Sequence, residues 1–174
     1  YMIPMEDVTT GLISSNSHSE EVPVAGSVHS FAWSSTPLGP RSSWSPSLKT
    51  TVDLCLNSVL PTAICYGPEW ILIYNQAWGT LLNSNHPTGR PVSEVRTETY
   101  VVLEPLVRGV FSTGKSQLGT DTPIPVQRGD DVEECYFSLA LSPMFKEDGT
   151  VGGVFIVVQE TTQRILAARR MKTL

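Results

Sequence analysis

A long β-hairpin near the C-terminus constrains the fold more than any other part of the chain. Residues 132–145 (VEECYFSLALSPMF) alternate in polarity, so every second residue from Cys135 to Leu141 lies on one face of a strand. Asp148-Gly149 then predicts a tight turn. Residues 151–160 (VGGVFIVVQE) are apolar on both faces, as a central strand is. The chain is therefore expected to build an antiparallel sheet.

A helix is predicted at residues 44–60, well before this hairpin. Ser45 is a favourable N-cap, and Pro46 suits the first helical position. Apolar side chains follow at helical spacing on one face, and Pro61 marks the end. Those apolar positions are Leu48, Val52, Cys55 and Val59.

A second, shorter hairpin follows this helix. The β-rich runs 62–66 and 70–74 flank Gly67-Pro68, a strong turn signal. Asn75 then stands where the N-cap of another helix is expected. The order of helix, hairpin and helix before the C-terminal strands indicates the α+β class.

Prolines interrupt the two segments that come next. Residues 97–113 have near-helical apolar spacing, and Gly114 predicts the C-cap. Pro105 implies either a kinked helix or a helix that begins at that proline. Pro123 and Pro125 predict that the strand after it is broken or lies at an edge of the sheet.

Composition narrows the functional classes. The 174 residues carry a net charge of −5, which argues against nucleic-acid binding. The three cysteines lie within apolar segments without CxxC spacing, which favours buried thiols in a reducing, cytoplasmic compartment. No apolar run is long enough to enter a membrane as a spanning helix.

The strand and helix order, together with several phrases, resembles a PAS domain of the type found in histidine kinases, hybrid kinases and GAF-containing signalling proteins. The matching phrases cover roughly residues 31–172. They are TPLGP, LNSVLPTAICYGPEWILIYNQAW, NHPTGRP, LEPLVRGVFSTGK, EECYFSLALSPMFKEDGTVGGVF and QETTQRILAARR. The resemblance implies a five-stranded antiparallel sheet with helices on one face, an N-terminal helix and a C-terminal output helix.

The resemblance also implies a space between sheet and helices that either holds a small molecule or is filled by side chains. Its candidate wall residues are mostly aromatic and apolar. They are Ile64, Tyr66, Tyr74, Asn75, Trp78, Tyr100, Leu103, Val107, Phe111, Tyr136, Leu139 and Phe155.

No specific cofactor is predicted for that space. The reactive cysteine of a LOV photosensor has no counterpart in the LLNSNHPTGRP region, and residues 97–113 offer no histidine to a haem. His86 alone makes a poor metal site, so none is predicted. Nucleophile elbows and phosphate loops are absent from the sequence, so the domain is expected to be non-catalytic.

Three segments are therefore expected. Residues 1–30 form a flexible tail, residues 31–160 the PAS domain, and residues 161–174 the start of a signalling helix that continues beyond Leu174. The predicted function is sensory: the domain regulates a downstream kinase or GAF module through its flanking helices, which also form a homodimer. Two alternatives remain, a ligand-free interaction module and a sensor with a non-covalent flavin or other cofactor.

Overall fold

A computed structural model describes residues 32–83, 88–95 and 97–173. The predicted tail at residues 1–30 and His86 lie outside these residues. The regular elements in chain order are α1 (Pro46–Asn57), β1 (Thr62–Tyr66), β2 (Ile71–Tyr74), α2 (Gln76–Leu81), β3 (Arg90–Pro91), α3 (Glu98–Thr113), β4 (Gln117–Arg128), β5 (Asp131–Phe145), β6 (Val151–Glu160) and α4 (Thr162–Lys172).

The strands form one antiparallel sheet in the order β3-β2-β1-β6-β5-β4. The described sheet has six strands, whereas the sequence predicts five. The additional strand, β3, is a two-residue pairing of Arg90 and Pro91 with Leu72 and Ile71. Two residues, one of them proline, carry no alternation that a sequence pattern could reveal. The predicted centre is confirmed, because β6 lies between β1 and β5.

The N-terminal helix begins as predicted but is shorter at its end. The Leu48 amide donates to Ser45 Oγ at 3.3 Å, and Pro46 occupies the first position. The helix ends at Asn57 rather than at residue 60. Ahead of it, both terminal guanidinium nitrogens of Arg41 donate to the Asp53 carboxylate at 2.9 Å.

Pro105, Pro123 and Pro125 lie at positions where water can bond to the backbone groups that each proline leaves unpaired. The helix α3 runs through Pro105, which is exposed, and it ends at Gly114 in the left-handed conformation at φ +65°. Pro123 and Pro125 lie in β4, an edge strand, as predicted. A register shift between Gly119 and Thr122 interrupts its pairing with β5.

Strand alternation divides the buried side chains between two faces of the sheet. On the inner face, Trp78 of α2 and Leu103 of α3 join the residues of the β5 stripe that starts at Cys135. On the outer face, α1 packs its apolar side over Ile64 and Ile73. The small helices cover one face, as predicted, and α1 covers part of the other.

Candidate functional site

About half of the predicted wall residues lie together in the inner cluster, between the sheet and α3. Those that are buried there are Tyr74, Trp78, Tyr100, Leu103, Val107 and Leu139. Phe111 is partly buried and packs against the same cluster. The inner face is therefore the part of the molecule where the predicted space between sheet and helices has to be sought.

Three other predicted wall residues lie on the opposite face of the sheet. Ile64 is in register with Phe155 across β1 and β6, and both belong to the cluster beneath α1. Tyr66 follows Ile64 by two positions and shares its face. The prediction that they line the same space is wrong, because strand alternation turns them away from α3.

The last two predicted wall residues have other roles. Asn75 is buried and caps α2, as the sequence predicts, with its Oδ1 accepting from the Trp78 amide at 3.0 Å. Tyr136 is only partly buried, and the guanidinium carbon of Arg169 lies 5.1 Å from its ring centre. Tyr136 therefore belongs to the contact with α4 rather than to a pocket.

Among the described residues, side chains pack closely around a small cavity in the inner cluster. The cavity that remains has a volume of about 10 Å³, with Trp78, Tyr100 and Leu103 among its walls. A space of this size holds about one water molecule, whereas sites for small molecules usually exceed 300 Å³. The sequence leaves open whether rings fill the core or a ligand occupies it, and the rings of Trp70, Trp78 and Tyr100 line the small cavity found here.

A large open groove lies beside this cavity. The groove, of about 650 Å³, runs between the β1–β2 turn and the N-terminal half of α3, and Trp70, Val92, Tyr100 and Glu104 border both spaces. The Trp70 ring stacks on Phe111 at 5.7 Å, and the guanidinium of Arg108 lies 5.6 Å from it. Trp70 is thus one of the walls shared by the interior and the groove.

The backbone at Trp70 is under local strain. Its φ is +51°, a left-handed value that bulky residues seldom adopt. Such residues occur preferentially at clamps and switches. The sequence signal for this turn was Gly67-Pro68, which places the hairpin but not the tryptophan over α3. Trp70, one of the aromatic residues that the sequence associates with the predicted space, is thus a functional candidate at its border.

The interior offers no activated nucleophile among the cysteines. Burial raises the pKa of Cys55 and of Cys65 to about 12, and burial likewise raises the pKa of Cys135. Thiols in this state stay protonated and unreactive at neutral pH. Among the described residues, no three His, Cys, Asp or Glu side chains come together as a metal site.

A polar network joins the end of the sheet to α4. Thr162 Oγ1 accepts from the Tyr136 amide at 2.9 Å and donates to the Glu160 carboxylate at 2.7 Å. The same carboxylate accepts from Arg128 at 2.7 Å. Burial raises the pKa of Glu160, but the bonds from Arg128 and Thr162 outweigh it and hold the pKa below its usual value.

Neither Thr161 nor Thr162 caps α4 with its side chain. Thr161 is the N-cap of α4 but makes no side-chain capping bond, and Thr162 bonds to the sheet instead. Beyond this first turn, Arg164 pairs with Asp121, and Arg169 donates to Tyr136 Oη at 2.9 Å. No local sequence pattern indicates this network. It holds α4 in the direction in which the helix leaves the sheet.

A family comparison matches this arrangement. The model of a family described as the PAS fold matches residues 60–166, which is more than half of the chain and includes every strand.

Solved structures show the same fold at low sequence identity. Phage VqmA in complex with DPO aligns with a TM-score of 0.52 and 17% identity, over 72% of this chain and 58% of that one. A variant of RsLOV aligns at 0.50 and 14%, over 66% and 68%. An RNA-binding light-oxygen-voltage receptor aligns at 0.50 and 18%, over 79% of this chain but only 40% of that receptor.

Proposed function

Because the chain belongs to the PAS-fold family, we propose that it is the sensory module of a larger signalling protein and passes its signal on through α4. The observation that carries this proposal is the polar network at the start of α4. Thr162, the first residue of α4, donates to Glu160 at the end of β6. It also accepts from the amide of Tyr136 in the neighbouring strand β5. A shift between β5 and β6 must therefore move α4.

The module that receives the signal is proposed to be a histidine kinase, a hybrid kinase or a GAF-containing segment of the same chain. The domain itself is proposed to be non-catalytic and cytoplasmic, and to dimerise with a second copy through α1 and α4. Exposed apolar side chains on both helices support the dimer: Leu54 of α1 is 64% exposed and Met171 of α4 is 77% exposed. No helix within the described ranges is long and apolar enough to cross a membrane.

The filled inner face favours a module that needs no bound ligand in this conformation. The 10 Å³ cavity cannot hold a metabolite or flavin unless Trp70 or its neighbours move. A sensor with a ligand is the second candidate, and the wall that Trp70 forms beside the 650 Å³ groove is the observation that favours it. Native mass spectrometry of the purified protein distinguishes the two, since a bound small molecule adds its mass.

Autophosphorylation of the complete parent protein tests the proposed output. Thr162→Val is expected to change the rate several-fold, because it removes both side-chain bonds at the start of α4. Thr161→Val, one residue away, is the matched control and should leave the rate near its original value. Equal rates in both variants would refute transmission through α4, and a parent protein that transfers no phosphate would refute the kinase assignment.

A further inference from the structure

One buried side chain, that of Asn75, holds the C-terminal end of α1. Asn75 is 2% exposed and lies between β2 and α2. Its Nδ2 is 3.1 Å from the carbonyl oxygens of Cys55 and Ser58 and 2.8 Å from that of Leu60. Cys55 lies in the last turn of α1, where it also accepts from the Ser58 amide, whereas Ser58 and Leu60 belong to the segment that joins α1 to β1. The end of α1 is thereby tethered to the β2–α2 junction.

The other end of the same amide group organises the inner layer. Asn75 Oδ1 accepts from the Trp78 amide at 3.0 Å and from the Thr62 amide at 3.2 Å. These bonds start α2 and fix the first residue of β1. A single planar amide therefore sets the positions of α1, β1 and α2 relative to one another.

From α2 the hydrogen-bonded path continues to α3. Trp78 is fully buried, and its Nε1 donates to Tyr100 Oη at 3.0 Å. Tyr100 borders both the interior cavity and the groove beside Trp70. The buried cluster beneath α1, by contrast, is separate from the cluster that contains Trp78 and Tyr100. The path from Tyr100 to Asn75 is thus a polar connection between two layers whose apolar cores do not merge.

We propose that Asn75 is a coupling residue that transmits changes at the Tyr100 wall to α1. Tyr100 and Trp78 are joined by a buried hydrogen bond, and Trp78 in turn forms the first turn of the helix that Asn75 caps. Displacement of Tyr100 shifts α2, and the rigid amide carries that shift to the Cys55 carbonyl of α1 and to the segment that follows the helix. This interpretation of α1 rests on the proposed signalling function. Under that function, α1 is a second output helix beside α4.

Hydrogen exchange in the whole chain, followed by mass spectrometry, measures the coupling without any signalling assay. Tyr100→Phe removes the hydroxyl that Trp78 Nε1 donates to and keeps the ring. We expect amides of α1 to exchange roughly threefold to tenfold faster, the effect of losing about one buried hydrogen bond. Val107→Ala is the matched control, since Val107 packs in the inner cluster but takes no part in the path.

The proposal is overturned if the α1 amides exchange at the same rate in Tyr100→Phe and in Val107→Ala when the two variants are compared at equal global stability. A second variant, Asn75→Ser, keeps a hydroxyl to cap α2 but cannot reach the three carbonyls. In that background Tyr100→Phe should no longer alter exchange in α1, and an undiminished effect there also overturns the path. If Asn75→Ser does not fold, the first comparison decides alone. Failure of the kinase assay, by contrast, refutes the proposed output and leaves this coupling standing.

Discussion

Replacing Thr162 with valine tests the junction between sheet and α4 most directly. Valine has the shape of threonine, so the change removes a hydroxyl without opening a cavity. The hydroxyl accepts from the Tyr136 amide at 2.9 Å and donates to the charged Glu160 carboxylate at 2.7 Å, in a residue only 9% exposed. The variant therefore leaves a peptide N–H without its acceptor and Glu160 without one of its two donors.

The size of the effect follows from these two losses. A buried donor left without a partner costs about 1–3 kcal/mol, and a hydrogen bond to a charged group contributes about 1.5–3 kcal/mol. Because Tyr136 and Glu160 are partly accessible to water, which replaces some of this, we expect a loss of about 2 kcal/mol. For a domain of this length that is a decrease of about 4–8 °C in Tm. Exchange of the α4 amides should rise as well.

Thr161→Val supplies the comparison for this measurement. Thr161 Oγ1 is buried and lies close enough to Asp121 to lower the pKa of that carboxylate, but within the described residues it bonds neither to the sheet backbone nor to Glu160. Its removal should lower Tm less than Thr162→Val does, since none of the bonds that join Thr162 to the sheet backbone and to Glu160 is lost. Thermal unfolding followed by circular dichroism, with exchange measured on α4, gives both readouts. If the two variants match in Tm and in α4 exchange, the network does not hold the helix.

Three further results are expected. Native Cys55 and Cys65 should not react with a disulfide reagent at pH 8 and should react once guanidinium unfolds the chain, because a pKa of about 12 leaves almost no thiolate. Glu160→Gln should lower the free energy of unfolding by about 1 kcal/mol at pH 7. Folding lowers the pKa of Glu160 below 4.5, so its contribution is present above pH 4.5 and is lost as the pH falls through the folded pKa. Denaturant titrations of the two proteins should therefore converge as the pH is lowered below 4.5. Gly153→Ala should lower Tm far more than Gly152→Ala, because its Cβ would lie 2.8 Å from the Cys65 backbone oxygen, whereas that of Gly152 meets the flexible Lys146 side chain.

The elements themselves could be predicted because their signals are local. Alternation from Cys135 to Leu141 predicted the inner stripe of β5, and those residues are buried there. Ser45 and Asn75 were recognised as caps because the cap and its helix are adjacent in sequence. Each of these signals lies within a few residues of the structure it predicts.

The site could be predicted only in part, because it depends on which face each strand presents. The pattern of 62–66 is too short and too apolar to show that Ile64 points away from α3. Likewise, the sequence shows Tyr136 only as an aromatic residue in a strand. Its partner Arg169 lies 33 residues further along and meets it only in the folded structure. Contacts between residues this far apart in sequence are formed by the tertiary fold and leave no local signature.

The polar junctions at Asn75 and Thr162, rather than the apolar packing of the inner face, carry the functional proposal. Apolar side chains on the inner face can exchange neighbours at small cost, so a core of this kind does not by itself transmit direction. The bonds of Asn75 and of Thr162, both near the strand end where β1 begins and β6 finishes, have fixed geometry, and breaking them leaves buried polar groups unpaired. These bonds couple the sheet to α1 at one junction and to α4 at the other. Under the proposed function, these are the two helices through which a movement of the sheet would be passed on.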